Sequence, residues 1–123
     1  MEEALQNILI NTYNPDHNLR FAAEAALKQF LATNGSLSAM MNCIARSDIH
    51  PDLRQATTLV LKNHIRDYWA GADKEKALPT SPQEKEYVKT GILQVLLDET
   101  NSSIRSVLAE SILIISQTDF PDK

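Results

Sequence analysis

The stretch "HPDLRQATTLVLKNHIRDYW", His50 to Trp69, decides the fold. At about 100 degrees per residue, Leu53, Val60, Leu61, His64, Ile65 and Tyr68 fall on one broad apolar arc. Gln55, Thr58, Lys62 and Arg66 make the narrow polar strip opposite, with Arg54 and Asn63 at its margins. A helix of this kind needs neighbours on more than one side. A catalytic helix, a nucleic-acid-binding helix and one unit of a repeat all meet that description, and the rest of the chain chooses between them.

The stretch has two gapless counterparts: "DHNLRFAAEAALKQF" from Asp16 and "NSSIRSVLAESILII" from Asn101. Each runs from a polar or Pro-bearing turn through Leu or Ile to Arg, then places an apolar or small residue every three to four positions. Arg20, Arg54 and Arg105 coincide, 34 residues separating the first two and 51 the last two. The excess falls in one loop, so the unit is a helical hairpin of roughly 34 to 40 residues, present three times. In a solenoid of stacked hairpins the second helix of each pair is sandwiched between its partner and its neighbours, which explains the broad arc. The exposed strips of successive second helices should then line up on one surface.

Turn signals bound six helices. The first spans about residues 2–13, with Leu5, Ile8 and Leu9 inward, and "NPD" stops it. The second, about 17–32, presents Leu19, Ala22, Ala23, Ala26, Leu27 and Phe30 and ends at "TNG", where Gly35 can take a left-handed conformation. The third, about 36–46, has Ser36 as its expected N-cap and turns Leu37, Met40, Met41 and Ile44 inward. The fourth is the opening stretch, with Pro51 in its first turn. A long linker, "AGADKEKALPTSPQEK", follows, and within it Ser81 and Glu84 form a capping box that starts the fifth helix at Pro82. That helix turns Val88, Ile92, Val95 and Leu96 inward. The sixth, about 103–117, is apolar nearly all round in its second half and is expected to be buried. The expected fold is all-α: three hairpins at about 2–33, 36–70 and 82–118, with a linker at about 71–81.

Composition narrows the function. A chain of 123 residues buries about two thirds of its unfolded surface without a metal or disulfide. The single cysteine, Cys43, lies among Met40, Met41 and Ile44, reads as a buried hydrophobe and favours a reducing compartment. The start "MEEALQNI" lacks the basic and apolar regions of a signal peptide, and no apolar run is long enough to span a membrane. With 16 acidic against 12 basic residues, the chain carries a net charge of −4, which disfavours a nucleic-acid partner and favours a protein partner. His17, His50 and His64 pair with no Cys or Glu at metal spacing, and Gly35, Gly71 and Gly91 are too scattered for a phosphate loop. No nucleophile elbow occurs either. No enzyme activity, cofactor or metal is expected.

"LRQATTLVLKNHIRDYW" resembles the signature of the importin-β (karyopherin) superfamily: Arg, a small residue, an aliphatic pair, Lys-Asn and a closing Tyr-Trp. "LRFAAEAALKQF", the linker after Trp69 and the terminal "ISQTDFPDK" agree with the same family, so the resemblance covers essentially the whole chain. It implies a right-handed α-solenoid of three HEAT repeats, six helices in antiparallel pairs, at the amino-terminal end of a longer solenoid. It also implies nuclear transport, with the receptor shuttling between cytoplasm and nucleus. In the family the concave face of the first repeats binds the small GTPase Ran in its GTP form, while protein cargo and nucleoporins engage later repeats. By position, the resemblance makes Lys62 and Asn63 candidate Ran contacts, with Arg54 and Arg66 as flanking charges; Arg20 and Arg105 follow from the internal alignment alone.

Alternatives stand beside each of these. The aligned arginines also read as a structural ladder pairing with acidic groups of neighbouring repeats. Asn63 can tie down an adjacent turn, Lys62 and Arg66 can be solvated charges, and Tyr68 and Trp69 can be core or lid residues against the linker. At the level of the whole protein, an importin is the first expectation; an exportin of the same superfamily, or a HEAT scaffold with no GTPase partner, are the alternatives.

Overall fold

The computed structural model describes residues 2–33, 35–68 and 82–119. The described residues form six α-helices and no strand: α1 (Glu2–Thr12), α2 (His17–Leu31), α3 (Ser36–Ala45), α4 (Pro51–Tyr68), α5 (Pro82–Asp98) and α6 (Ser102–Asp119). Trp69, the linker at 71–81 with Ser81, and the terminal segment from Phe120 lie outside the described residues, as does the side chain of Tyr68.

The second helix of every hairpin has its own start signal. The Asp16 carboxylate accepts from the amides of Asn18 and Leu19 at the head of α2. His50 Nδ1 accepts from the Asp52 amide at 3.1 Å at the head of α4, and Asn101 Oδ1 accepts from the Ile104 amide at 3.1 Å at the head of α6. These side chains satisfy donors that the first turn leaves without intrahelical partners. Connections this short make each pair an antiparallel hairpin: α1 packs on α2, α3 on α4 and α5 on α6.

The hairpins stack through their first helices, α1 on α3 and α3 on α5. Central among these, α3 buries Leu37, Ala39, Met40, Met41, Cys43 and Ile44. One continuous core joins them to Leu5 and Leu9 of α1, Phe30 of α2, Leu61 and Ile65 of α4, Val88 and Ile92 of α5, and Ile104 and Leu108 of α6. Where α5 crosses α3, Gly91 leaves room for the Met41 side chain, whose Cε lies 3.3 Å from where a Cβ would stand. Cys43 is fully buried, its Sγ 3.7 Å from Thr57 Oγ1.

Four details differ from the sequence reading. Gly35 does take the left-handed conformation, at φ 90°, but as the N-cap of α3; α2 closes at Ala32 in a right-handed conformation. Ser36 is the first helical residue, and its hydroxyl donates to Leu31 O at 3.3 Å. Second, the row of second helices is incomplete: α4 packs on α6, while α2 packs on α1 and α3 and α1 itself reaches α4. Consequently α2 buries only Ala23 and Phe30, and Leu19 and Ala22, expected inside, are exposed. Third, Thr58 is fully buried instead of lying on the polar strip. Packing of α6 shifts the exposed strip of α4 toward Asp52, Leu59, Asn63 and Arg66. Thr57, Thr58 and Ser111 tolerate burial because each donates its hydroxyl to the carbonyl four residues earlier. Fourth, α6 is not enclosed: Leu113 stays exposed, as do Leu93 and Leu97 on α5.

Candidate functional site

The three aligned arginines occupy the same place, the fourth residue of α2, α4 and α6. Each donates to main-chain carbonyls in the last turn of the preceding helix or in the connection that follows it. Arg20 Nη1 reaches Asn14 O at 3.2 Å, Arg54 Nε and Nη2 reach Ile44 O at 2.9 and 2.7 Å, and Arg105 Nη1 reaches Leu96 O at 2.8 Å and Glu99 O at 2.9 Å. The last carbonyls of a helix lack intrahelical donors and form its negative end, so a guanidinium there supplies both hydrogen bonds and favourable charge. The repeated arginine therefore closes each hairpin from within.

Arg54 does more. It is buried, and its Nη2 also donates to the buried Glu99 of the next hairpin. Glu99 in turn accepts from the Asn101 amide at 2.9 Å. Among the described residues the ladder of arginines paired with neighbouring acids is realised at this one rung; Arg20 and Arg105 bond within their own hairpins. Two further carboxylates cross the same junction. Glu84 Oε2 accepts from the amide and hydroxyl of Ser38 at 3.2 and 3.1 Å, capping the head of α3, whose own N-cap glycine has no side chain to offer. The expected capping box gave Glu84 to Ser81, which lies outside the described residues. Near Glu84, His64 is buried, and its pKa is held below the usual 6.5, desolvation outweighing the opposing pull of Asp67 and Glu84.

The third carboxylate, Glu110 of α6, pairs with α4 at the surface. Lys62 Nζ sits 3.2 Å from Glu110 Oε2 of α6, the lysine side chain 20% exposed and the glutamate 55%. One turn on, the exposed Arg66 pairs with Asp67 through Nε at 3.2 Å. Asn63 is exposed between them and makes no hydrogen bond among the described residues. Lys62, Asn63 and Arg66 thus share one accessible strip of α4, from which Arg54 is withdrawn by burial. Toward the start of α4 the strip passes Leu59 into an open groove of about 460 Å³, lined by Tyr13, Asp52, Leu53, Gln55 and Ala56.

Among the described residues no group of His, Cys, Asp and Glu is placed to hold a metal ion, and no helix is long and apolar enough to cross a membrane. The sequence does not single out Glu99 or Glu110, and it singles out Glu84 only as the capping partner of Ser81. Glu99 carried the clearest missed signal: an acid in the turn before the third aligned segment, able to reach an arginine one repeat back.

Stacked helical hairpins define a helical-repeat module, here with an accessible polar strip on α4. Residues 23–98 match the Importin-beta N-terminal domain, and the chain belongs to that family. It is 29% identical to the "Probable importin-7 homolog" of Dictyostelium discoideum over 125 residues, which is 100% of this chain and 12% of the relative. It is also 29% identical to Exportin-2 of Dictyostelium discoideum over 122 residues, 98% of this chain and 13% of the relative. The Importin-alpha re-exporter of Schizosaccharomyces pombe is 28% identical over 120 residues, covering 97% of this chain and 12% of the relative. The chain thus spans about an eighth of the length of these relatives.

Proposed function

We propose that the chain is the Ran-binding amino-terminal segment of a nuclear transport receptor, and that Lys62, Asn63 and Arg66 on α4 contact the GTPase in its GTP form. Family membership supports the receptor reading, and the accessible strip of α4 that brings Lys62, Asn63 and Arg66 together is the observation that carries the site. The chemistry asked of this surface is docking: ammonium and guanidinium groups meet carboxylates or carbonyls, and the Asn63 amide bridges backbone groups. Selectivity for the GTP form arises because the γ-phosphate orders the GTPase surface that docks. Arg54, tied to Ile44 and Glu99, holds the strip in register, and Arg20 and Arg105 hold their own hairpins, each acting on the partner only through the fold. Cargo and nucleoporins engage later repeats, and the receptor shuttles between cytoplasm and nucleus. Import is the direction we infer; export is the second reading, favoured by the two relatives named for it.

The test is calorimetric titration of the chain, at moderate salt, with Ran loaded with a non-hydrolysable GTP analogue and separately with GDP. Binding of the GTP form alone, abolished by Lys62→Glu with Asn63→Ala, supports the reading. A folded chain that binds neither form, or both equally, removes it and leaves the scaffold reading in place.

A further inference from the structure

Both cations of the α4 strip already carry a carboxylate of their own chain: Lys62 has Glu110 and Arg66 has Asp67. The free surface is therefore electrically neutral where the proposed site needs positive charge. We propose that Glu110 is an internal stand-in for the carboxylate of the docking partner, which must displace it, and that Glu110 thereby sets the affinity of the site. The inference rests on the function proposed above and adds a residue from another helix to it.

Three observations separate Glu110 from a structural acid. Glu99 and Glu84, which cross the same junction, are buried, and each accepts more than one hydrogen bond. Glu110 is more than half exposed, and Lys62 is its only partner among the described residues. Lys62, by contrast, is mostly covered, its side chain 20% exposed, so its ammonium stays near the α4 strip when the glutamate leaves. A lysine held in place beside an acid that is easily released is the geometry of an exchangeable contact. An exposed pair of this kind stabilises the fold little, because water and salt screen it. The exchange therefore costs little, and the energy of the incoming carboxylate goes mostly into binding.

The experiment is a double-mutant cycle read by titration of the chain with GTP-analogue-loaded Ran. Glu110→Gln keeps size and hydrogen-bonding capacity but removes the competing charge; roughly two- to five-fold tighter binding is expected, the range equivalent to an exposed ion pair. The gain should appear mainly in the association rate at low salt. In a Lys62→Met background the same substitution should change nothing, and Glu86→Gln, on the exposed side of α5, should leave binding at the wild-type value. Weaker or unaltered binding by Glu110→Gln, with Lys62→Met clearly impaired, would overturn the stand-in role while leaving the site intact. If Lys62→Met is itself without effect, or the wild-type chain does not bind, the functional reading fails and this inference with it.

Discussion

The two junctions between hairpins are built differently. From the second hairpin to the third, Glu84, Glu99 and Glu110 all reach back across the boundary, and Tyr87 donates its hydroxyl to Asn42 at 2.7 Å. From the first to the second, no ion pair crosses among the described residues, and the side-chain hydrogen bond is a local one at the connection, Ser36 to Leu31 O; Leu5 and Leu9 of α1 supply buried apolar contact, and α2 stands aside from α4. Directional contacts fix the register of two helices, whereas apolar contact alone permits small slips. The α4–α6 surface, which carries the proposed site, is accordingly the one with its geometry held from below. The first hairpin rides on that platform.

The comparison breaks most visibly at Arg54. Arg54→Ala leaves Glu99 charged and buried, and urea denaturation should show a loss of about 3–5 kcal/mol. Arg54→Met with Glu99→Leu should recover much of it, because an apolar pair carries no desolvation cost. Leu9→Ala, on the other side of the molecule, should cost about 3 kcal/mol by leaving a cavity. Its signature differs: limited proteolysis should cut the first hairpin while α4 and α6 remain protected. Glu84→Ala removes the borrowed cap of α3 and should cost about 1–2 kcal/mol.

The smallest effect follows from His64. Its folded pKa is depressed below 6.5, so in acid the unfolded chain binds the proton first. Stability is unaffected by this group well above pH 6.5, falls as pH drops through that value, and levels off below the folded pKa. One proton limits the slope to about 1.4 kcal/mol per pH unit. Denaturation of the wild type against His64→Phe between pH 7.5 and about 5 checks it; the substitution should flatten the profile.

How far the sequence reveals this arrangement depends on the range of the interaction. Helix ends were legible to within a residue or two because they depend on neighbours in the chain: Asp16, Pro51, Pro82 and Asn101 act within one turn. The broad arc of α4 was legible for the same reason, Leu61 and Ile65 being buried as the spacing requires. Thr58 was misplaced because a threonine can satisfy its own hydroxyl on the helix, so polarity did not report exposure. The freedom of α2 was hidden too, since "LRFAAEAALKQF" has enough small apolar residues to stack and nothing local says that it does not. Of the candidate site, the row of arginines could be seen, but its division into the buried Arg54 and the hairpin-bound Arg20 and Arg105 depends on where Glu99 lies in space. Likewise Glu110 cannot be paired with Lys62, 48 positions away, until α6 is laid on α4.

The most direct measurement is hydrogen exchange of the chain alone, with Ran bound to GDP and with Ran bound to a GTP analogue. Alone, the amides of α2 should exchange well before those of α4 and α6. With the GTP form only, additional protection should appear over residues 59–67 and around Glu110. Equal exchange in α2 and α4 would contradict the unequal junctions, and protection that misses α4, or appears with both nucleotides, would contradict the proposed docking surface.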